Sequence, residues 1–403
     1  MLKNILLITT ISSALLAQSA SDFKNQQMQS FNEQKKEFGV YKQSQEEEFA
    51  SYQESQMKAF DEYKKEVGAL WEDPKMSTQR TWVAYTPDKK TRTDVDFSQE
   101  VITVETIASS PQKAEEQLKI ALAKVITVDT KTVQETDPLE KELAKIQKPA
   151  GVVDSKVKAE PILSNVIFNT PPSKQNVVTY VNNNVTEATI KNVDSNKIKH
   201  AKVYSVSVQM PQDAMLKRSK TYHDEIKKNA KKQELPMPLV FAIMHSESNF
   251  NPRARSHIPA FGLMQIVPKS AGIDSYNYLY KEKKLVTGSY LYDSTNNITM
   301  GTAYLHILYY SYLKKIKNPD SRLYCTIAAY NTGSGNIAWA FNKNKPLNNK
   351  SKLSMNIAAD DINALTPDEV YNKLIKDLKY DEPREYLKKV SKRMSAYHKV
   401  YGS

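Results

Sequence analysis

The pattern of apolar and polar positions changes in kind along the chain. Residues 21–70 are polar and rich in Gln, Glu and Lys, and pairs of aromatic residues recur every 11 positions. These pairs are Phe38/Tyr41, Phe49/Tyr52 and Phe60/Tyr63. An 11-residue period keeps the pairs on one stripe of a nearly straight helix, and such a stripe has to be covered. The pattern therefore predicts a long helical segment, ended by Pro74, that contacts a partner helix or the protein's own body.

The next stretch alternates between apolar and polar residues. Residues 80–107 show the period of two that is typical of strands, and residues 110–125 change to helical spacing. Residues 146–175 contain four prolines and predict a loop. Short runs rich in β-branched residues at Val177–Val181 and Val203–Val208 predict further strands. Residues 71–210 are therefore expected to form a small α+β domain.

Beyond residue 210 the apolar positions recur at helical spacing and no strong strand pattern remains. Helices are predicted at about 213–231, 238–248, 268–272, 295–316, 321–332, 367–378 and 383–400. Residues 211–403 are therefore expected to form a mostly α domain. The fold class predicted for the whole chain is α+β.

The N-terminus has the pattern of an export signal. Lys3 precedes a mostly apolar run, Ile5–Ala17, and small residues follow up to Ala20. The run is shorter than the roughly 20 residues that span a bilayer, so residues 1–20 predict a cleaved signal peptide and a location in the periplasm or cell envelope. An uncleaved membrane anchor is the alternative. No Cys lies near the expected cleavage point, so we expect no lipid anchor.

Charge and cysteine content narrow the classes of function. The net charge is +12 and the excess lies in the second half, which favours an anionic partner, although a lysine-rich solvated surface would give the same count. No zinc-finger, RNP or helix-turn-helix motif supports nucleic acid as that partner, and an export signal disfavours it. Cys325 is the only Cys and lies in an apolar stretch, so neither a disulfide nor a Cys/His metal site is expected.

One carboxylate stands where the helical pattern requires an apolar residue. In the helix predicted at 238–248, Glu247 follows Ile243 by four positions and Met244 by three. A Glu on the apolar face would be buried, and burial raises the pKa of a carboxyl group towards the range useful to a general acid. A half-exposed Glu at a helix end, paired with a surface cation, fits this helix equally well.

The surrounding motifs favour the first interpretation. They are Glu247–Pro252, Phe261–Pro268, Ala328–Asn336 and Pro383–Val390. In this order and at this spacing they resemble the lytic transglycosylases of the soluble-lytic-transglycosylase and goose-lysozyme-like superfamily. Further upstream, residues 70–107 and 202–209 resemble the N-terminal domain of the membrane-bound lytic murein transglycosylase C family. That family is normally lipid-anchored through an N-terminal Cys, which this chain lacks.

The resemblance implies a role for each matching residue. Glu247 would act as the acid and then as the base. Ser256 would place a hydroxyl near the acetamido group of the sugar, and Gln265 and Asn331 would form hydrogen bonds in the groove. Met264 and Tyr330 would line the sugar sites, and Tyr386 would close the site beside Glu247. Met264 and Tyr386 could instead serve only in packing. No metal, nucleotide or other cofactor is implied.

The expected activity is cleavage of the peptidoglycan glycan strand. Most glycosidases use two carboxylates, and none of the other acids between residues 240 and 340 stands in a motif that resembles a second catalytic position. The family uses the sugar's own 6-hydroxyl instead, which gives a 1,6-anhydromuramoyl end. The alternatives are a goose-lysozyme-type hydrolase and a non-catalytic wall-binding protein. The helical segment could also mediate self-association or bind an envelope protein.

Overall fold

The computed structural model describes residues 47–256 and 259–402. The predicted export signal and the first aromatic pair, Phe38/Tyr41, lie outside the described residues. Within the described chain, residues 60–144 and 151–402 form one compact unit, and residues 47–59 and 145–150 belong to another. The description below concerns the larger unit unless stated otherwise.

Residues 47–70 form helix α1, as the aromatic period predicts. In the smaller unit, the rings of Phe49 and Tyr52 lie with their centroids 6.0 Å apart. In the larger unit, Tyr63 is only 4% exposed and joins a buried cluster with Val67 and Trp71. The ring of Tyr63 meets Tyr85 of the neighbouring sheet edge to face, at 6.2 Å between centroids. This end of the aromatic stripe is therefore covered by the protein's own body.

The small domain is built on an antiparallel sheet of five strands in the order β1-β2-β3-β5-β4. The strands are β1 (Thr81–Tyr85), β2 (Thr91–Asp96), β3 (Val101–Ala108), β4 (Lys191–Asp194) and β5 (Lys202–Gln209). The register places Trp82, Val95, Ile102 and Val208 opposite one another across four strands. All four are buried in one apolar cluster with residues of the first helix after β3. The alternation in residues 80–107 therefore predicted these strands correctly.

Five helices lie between β3 and β4 along the chain. They are α2 (Pro111–Thr127), α3 (Thr130–Thr136), α4 (Pro138–Lys145), α5 (Ser164–Ile167) and α6 (Lys174–Asn184). Ser110 caps the start of α2, because its hydroxyl accepts from the backbone N–H of Lys113. Leu118 and Leu122 of this helix pack in the same apolar cluster as the sheet.

The strand predicted at Val177–Val181 is wrong, because this stretch lies in α6. A reciprocal hydrogen-bonded cap between Ser173 and Asn176 starts the helix. Val177 and Val181 then follow each other at a spacing of four and both pack on the domain core, whereas Val178 is half exposed. The capping pattern and the four-residue spacing outweigh the β propensity of the valines.

The second domain is helical, as predicted, and the α+β class is thereby confirmed. Its α-helices are α7 (Ala214–Thr221), α8 (His223–Lys232), α9 (Met237–Ser248), α10 (Ile273–Tyr280), α11 (Gly288–Tyr292), α12 (Ser294–His306), α13 (Pro319–Thr332), α14 (Ser334–Asn342), α15 (Asn349–Lys352), α16 (Met355–Asn363), α17 (Pro367–Asp377) and α18 (Asp381–Tyr401). Among the described residues, no helix is long and apolar enough to cross a membrane.

Several helix boundaries differ from the sequence prediction. The helix predicted at 213–231 is broken at Tyr222 into α7 and α8. Turns of π-helix at Pro268–Gly272 and Ile307–Tyr312 adjoin α10 and α12. Helix α14 was not among the predicted helices, and it contains Gly335 and follows Gly333. Only Gly333 has a positive φ, of 82°, and the helix begins directly after it.

The small domain contacts the second domain at the C-terminal end of α9. Asn249, the first residue after α9, donates through its Nδ2 to the carbonyl of Phe97 at 3.3 Å. Arg218 donates to the same carbonyl at 3.1 Å and to the carboxylate of Glu100 at 3.0 Å. The amide of Asn251 lies 3.4 Å from the carbonyls of residues 79 and 81. These bonds fix the loop before β1 against the end of α9.

Replacement of Tyr63 by Ala is expected to destabilise the protein by about 3 kcal/mol. The change leaves a cavity beside Tyr85 and Trp71, and loss of a buried aromatic ring typically costs this much. Thermal melting at fixed pH measures it. Lys64→Ala, an exposed neighbour on the same helix, is the control and should melt like the unchanged protein. Equal melting temperatures for both variants would contradict this placement of α1.

Candidate active site

Glu247 lies in the last turn of α9, the most thoroughly buried helix of the second domain. Pro238 in its first turn lacks the N–H that would remain unpaired there, and apolar residues then follow on every side of the helix. Asn249 ends the helix in the left-handed conformation, with φ of 52°. Ser248 holds this end in place, since its hydroxyl lies 2.7 Å from the carbonyl of Leu263. Glu247 itself is only 8% exposed.

Burial raises the pKa of Glu247 from 4.5 to about 7. Three neighbours modify this effect. The hydroxyl of Tyr386 donates to Oε1 of Glu247 at 2.6 Å and lowers the pKa, the nearby carboxylate of Glu382 raises it, and Arg80 lowers it. The net result is a carboxyl group that exchanges its proton near neutral pH. A general acid and base requires this property.

Two tyrosines lie near the carboxyl group, Tyr386 buried and Tyr330 partly buried. Tyr386 comes from α18 and Tyr330 from α13, and the hydroxyl of Tyr330 donates to the carbonyl of Met264 at 2.8 Å. Burial, and then the charge of Glu247, raises the pKa of both phenols well above the ordinary value. Both hydroxyl groups therefore keep their protons and act as hydrogen-bond donors around Glu247.

Asn297 of α12 holds the loop from Phe261 to Gln265 in place. Its Nδ2 donates to the carbonyls of Phe261 and Leu291, both at 2.8 Å, and its Oδ1 accepts from the backbone of Met264 at 2.7 Å. Gly262 has φ of 72° in this loop, and a Cβ there would collide with Asn297. Only Gly fits at this position.

Of the two roles left open for Met264, the structure agrees with packing and not with a place in the lining of the sugar sites. Its side chain is fully buried and packs on Gly301 of α12, so it faces the core and cannot touch a sugar in this arrangement. The reason is local, because the amide of Met264 is fixed by Asn297 and the side chain follows the loop inward. Met264 contributes to the site through its carbonyl, which accepts from Tyr330.

Three of the predicted residues remain to be placed: Asn331, Gln265 and Ser256. Asn331 donates to the exposed carboxylate of Glu382 at 3.2 Å, beside Tyr386. Gln265 is strained, with φ of 49°, and donates to the carbonyl of Gly262, while its buried Oε1 has no donor among the described residues. The hydroxyl of Ser256 accepts from the backbone N–H of Ala260 at 3.1 Å.

The arginines that follow α9 point away from Glu247. Arg253 binds the carboxylate of Glu140 at 2.6 Å and lies over the ring of Tyr292. Arg255 lies over the rings of Phe60 and Phe261. Neither cation is among the groups that act on the pKa of Glu247.

Two residues of the site escaped the sequence analysis. Glu382 precedes Tyr386 by four positions in α18, so both lie on one face of that helix, and this spacing could have revealed it. Arg80 belongs to the small domain and precedes Glu247 by more than 160 residues. No local pattern connects the two, and only the contact between the domains brings them together.

Comparison with known proteins agrees with this arrangement. Residues 44–221 match the family described as "Membrane-bound lytic murein transglycosylase C, N-terminal domain", and residues 224–353 match the "Transglycosylase SLT domain" family. The protein is therefore an enzyme of the lytic murein transglycosylase class, which confirms the expected resemblance.

Curated relatives extend the match over most of the chain. Membrane-bound lytic murein transglycosylase C of Klebsiella pneumoniae subsp. pneumoniae is 32% identical over 324 residues, which are 79% of this chain and 82% of that protein. The protein of the same name from Salmonella arizonae is 33% identical over 323 residues, with the same coverage. The chain belongs to the membrane-bound lytic murein transglycosylase C family.

Among solved structures, the 70 kDa soluble lytic transglycosylase from Escherichia coli is similar at 24% identity and a TM-score of 0.35. The match covers 47% of this chain and 26% of that structure.

The stability of the protein should fall as pH rises from about 4.5 to 7. The folded state holds the proton of Glu247 more tightly than the unfolded state does. The free energy of unfolding therefore falls by about 3 kcal/mol across this window. Glu247→Gln removes the titration. The variant should match the unchanged protein near pH 4 and exceed its stability by up to about 3 kcal/mol at pH 8. Urea unfolding at both pH values measures the difference, and a constant difference would contradict a raised pKa.

Proposed function

We propose that the enzyme cleaves the β-1,4 bond between N-acetylmuramic acid and N-acetylglucosamine in peptidoglycan and forms a 1,6-anhydromuramoyl product. The observation that carries the proposal is the buried Glu247, whose pKa of about 7 and hydrogen bond to Tyr386 suit a single group that serves as acid and then base. The relatives' name states that they act on murein, which supports the same substrate.

The chemistry proceeds in two steps on the muramoyl residue. Protonated Glu247 donates its proton to the glycosidic oxygen, the bond from this oxygen to C1 breaks with assistance from the neighbouring N-acetyl group, and N-acetylglucosamine leaves with a free hydroxyl. Ionised Glu247 then accepts the proton of the 6-hydroxyl as O6 bonds to C1. Atoms balance without water, and Glu247 regains its proton for the next cycle.

The other site residues have supporting roles in this proposal. Tyr386 positions Glu247 and stabilises its ionised form between the two steps, because its hydrogen bond favours the carboxylate. Tyr330 and Asn331 line the groove near Glu247, and Gln265 and Ser256 bind sugar substituents. The side chain of Met264 supports the loop from the core.

Glu382 favours one alternative, a hydrolase of the goose-lysozyme type. A second carboxylate near Glu247 could activate water, as in enzymes that use two carboxylates. Glu382 is exposed and accepts a hydrogen bond from Asn331, so in our proposal it only raises the pKa of Glu247. The mass of the product separates the two reactions, since the anhydro product is one water lighter than the hydrolysis product.

Glu247→Gln should fold normally and lower turnover of purified peptidoglycan by a factor of about 1,000 or more, because Gln has no proton to exchange. Glu382→Gln is the matched control, with the same change at the neighbouring carboxylate. It should keep the anhydro product, while the alkaline limb of its pH profile moves to lower pH because a charge that raises the pKa of Glu247 is gone. Chromatography with mass spectrometry measures both. Hydrolysis products from the unchanged enzyme, or loss of activity in Glu382→Gln as well as in Glu247→Gln, would support the hydrolase.

The division of labour along the chain is also a proposal. We assign residues 1–20 to an export signal, 21–70 to a helical segment that self-associates or contacts an envelope partner, 71–210 to the small domain and 211–403 to the catalytic domain. Because Tyr63 and Val67 pack on the small domain, the helical segment is continuous with that domain's core at its C-terminal end. N-terminal sequencing of the protein from the cell envelope tests the export signal, and an intact Met1 would contradict its removal.

A further inference from the structure

Three cations, Arg80, Lys389 and Arg393, lie near one another at the end of α9 that carries Glu247, and Arg80 is the one of them that acts on Glu247 itself. Lys389 and Arg393 follow Tyr386 on α18 by three and seven positions, so all three residues lie on one face of that helix over about 10 Å. The guanidinium of Arg393 donates to the hydroxyl of Ser246, the neighbour of Glu247, at 3.0 Å. Arg80 joins them from the loop that Asn251 holds against the end of α9.

Electrostatic effects on the neighbouring groups agree with this placement. After burial, the charges of Arg393, Arg218, Lys389 and Arg80 lower the pKa of His245, to about 3. The pKa of Lys389 is also lowered, first by burial and then by Arg80 and Arg393. The three cations of the cluster therefore repel one another.

Within the described chain, no carboxylate lies within 4 Å of Arg80, Lys389 or Arg393. Two carboxylates act on the cluster from further away. Glu247, which is protonated for half of its cycle, interacts with Arg80. Glu385 interacts with Lys389 but pairs with Lys388 at 2.8 Å. Three like charges without a counter-charge cost stability, and a bound anion would relieve the repulsion.

We propose that Arg80, Lys389 and Arg393 form a subsite for the carboxylates of the peptide attached to the muramic acid, so that the small domain takes part in substrate recognition. The proposal rests on the proposed function, which places the muramoyl residue at Glu247. The peptide extends from that sugar, so its free carboxylates come within reach of cations on the adjoining helix face. Arg80 makes the subsite dependent on contact between the two domains.

The test uses two synthetic glycan tetrasaccharides that differ only in their peptides. In one the peptide carboxylates are free, and in the other they are carboxamides. The full-length enzyme should have a lower KM for the charged substrate. Arg80→Gln and Lys389→Gln should each raise that KM about three- to fivefold, the range of an exposed ion pair, and reduce the preference over the amidated substrate. Raising the salt concentration should reduce the preference as well.

Lys392→Gln is the matched control, because it removes one charge from an exposed position of the same helix and should leave the preference unchanged. Equal KM values for the two substrates in the unchanged enzyme would overturn the subsite. The same loss of preference in Lys392→Gln and Arg80→Gln would also overturn it and indicate a general effect of charge. Failure of the proposed function is a different result, since neither tetrasaccharide would then give an anhydro product.

Discussion

The burial of one ionisable carboxyl group in the last turn of α9 is the constraint on which the rest of the site depends. A helix with apolar residues on every side brings Glu247 into the core, and the interior disfavours its charged form. The site has to oppose this effect in part, because a group that never ionised could not act as a base. The hydrogen bond from Tyr386 and the charge of Arg80 provide that opposition. The resulting pKa of about 7 is a balance between burial and two specific contacts.

The loop from Phe261 to Gln265 shows how the fold maintains this balance. One amide, Asn297, satisfies three backbone groups, and this arrangement fixes the carbonyl to which Tyr330 donates. The loop also accepts the hydroxyl of Ser248 from the end of α9. The loop and the end of α9 are thereby held together around Glu247, whose burial is the largest cause of its raised pKa.

The sequence predicted the elements that depend on local spacing. The alternation in residues 80–107 and the apolar periods of α2, α9 and α18 identified those elements, and the position of Glu247 on an apolar face indicated its burial. Val177–Val181 was misread because β propensity was weighed without the cap at Ser173 and Asn176. The sequence left two roles open for Met264, sugar contact and packing, and could not decide between them, because the direction of its side chain depends on Asn297 more than thirty residues away. The resemblance to a family supplied a role for this residue but not the direction of its side chain.

Arg80 shows why part of the site is invisible to any local pattern. Its backbone carbonyl accepts from Phe97, and the loop around it is held by Asn251, so its position requires both the sheet and the end of α9. The same end of α9 carries Glu247, and Asn249 directly after it donates, together with Arg218 of α7, to the carbonyl of Phe97 in the small domain. A displacement of the small domain would therefore remove a positive charge from the surroundings of Glu247 and leave burial less opposed. The pKa of Glu247 is in this sense a property of both domains, although every atom that exchanges the proton belongs to one of them.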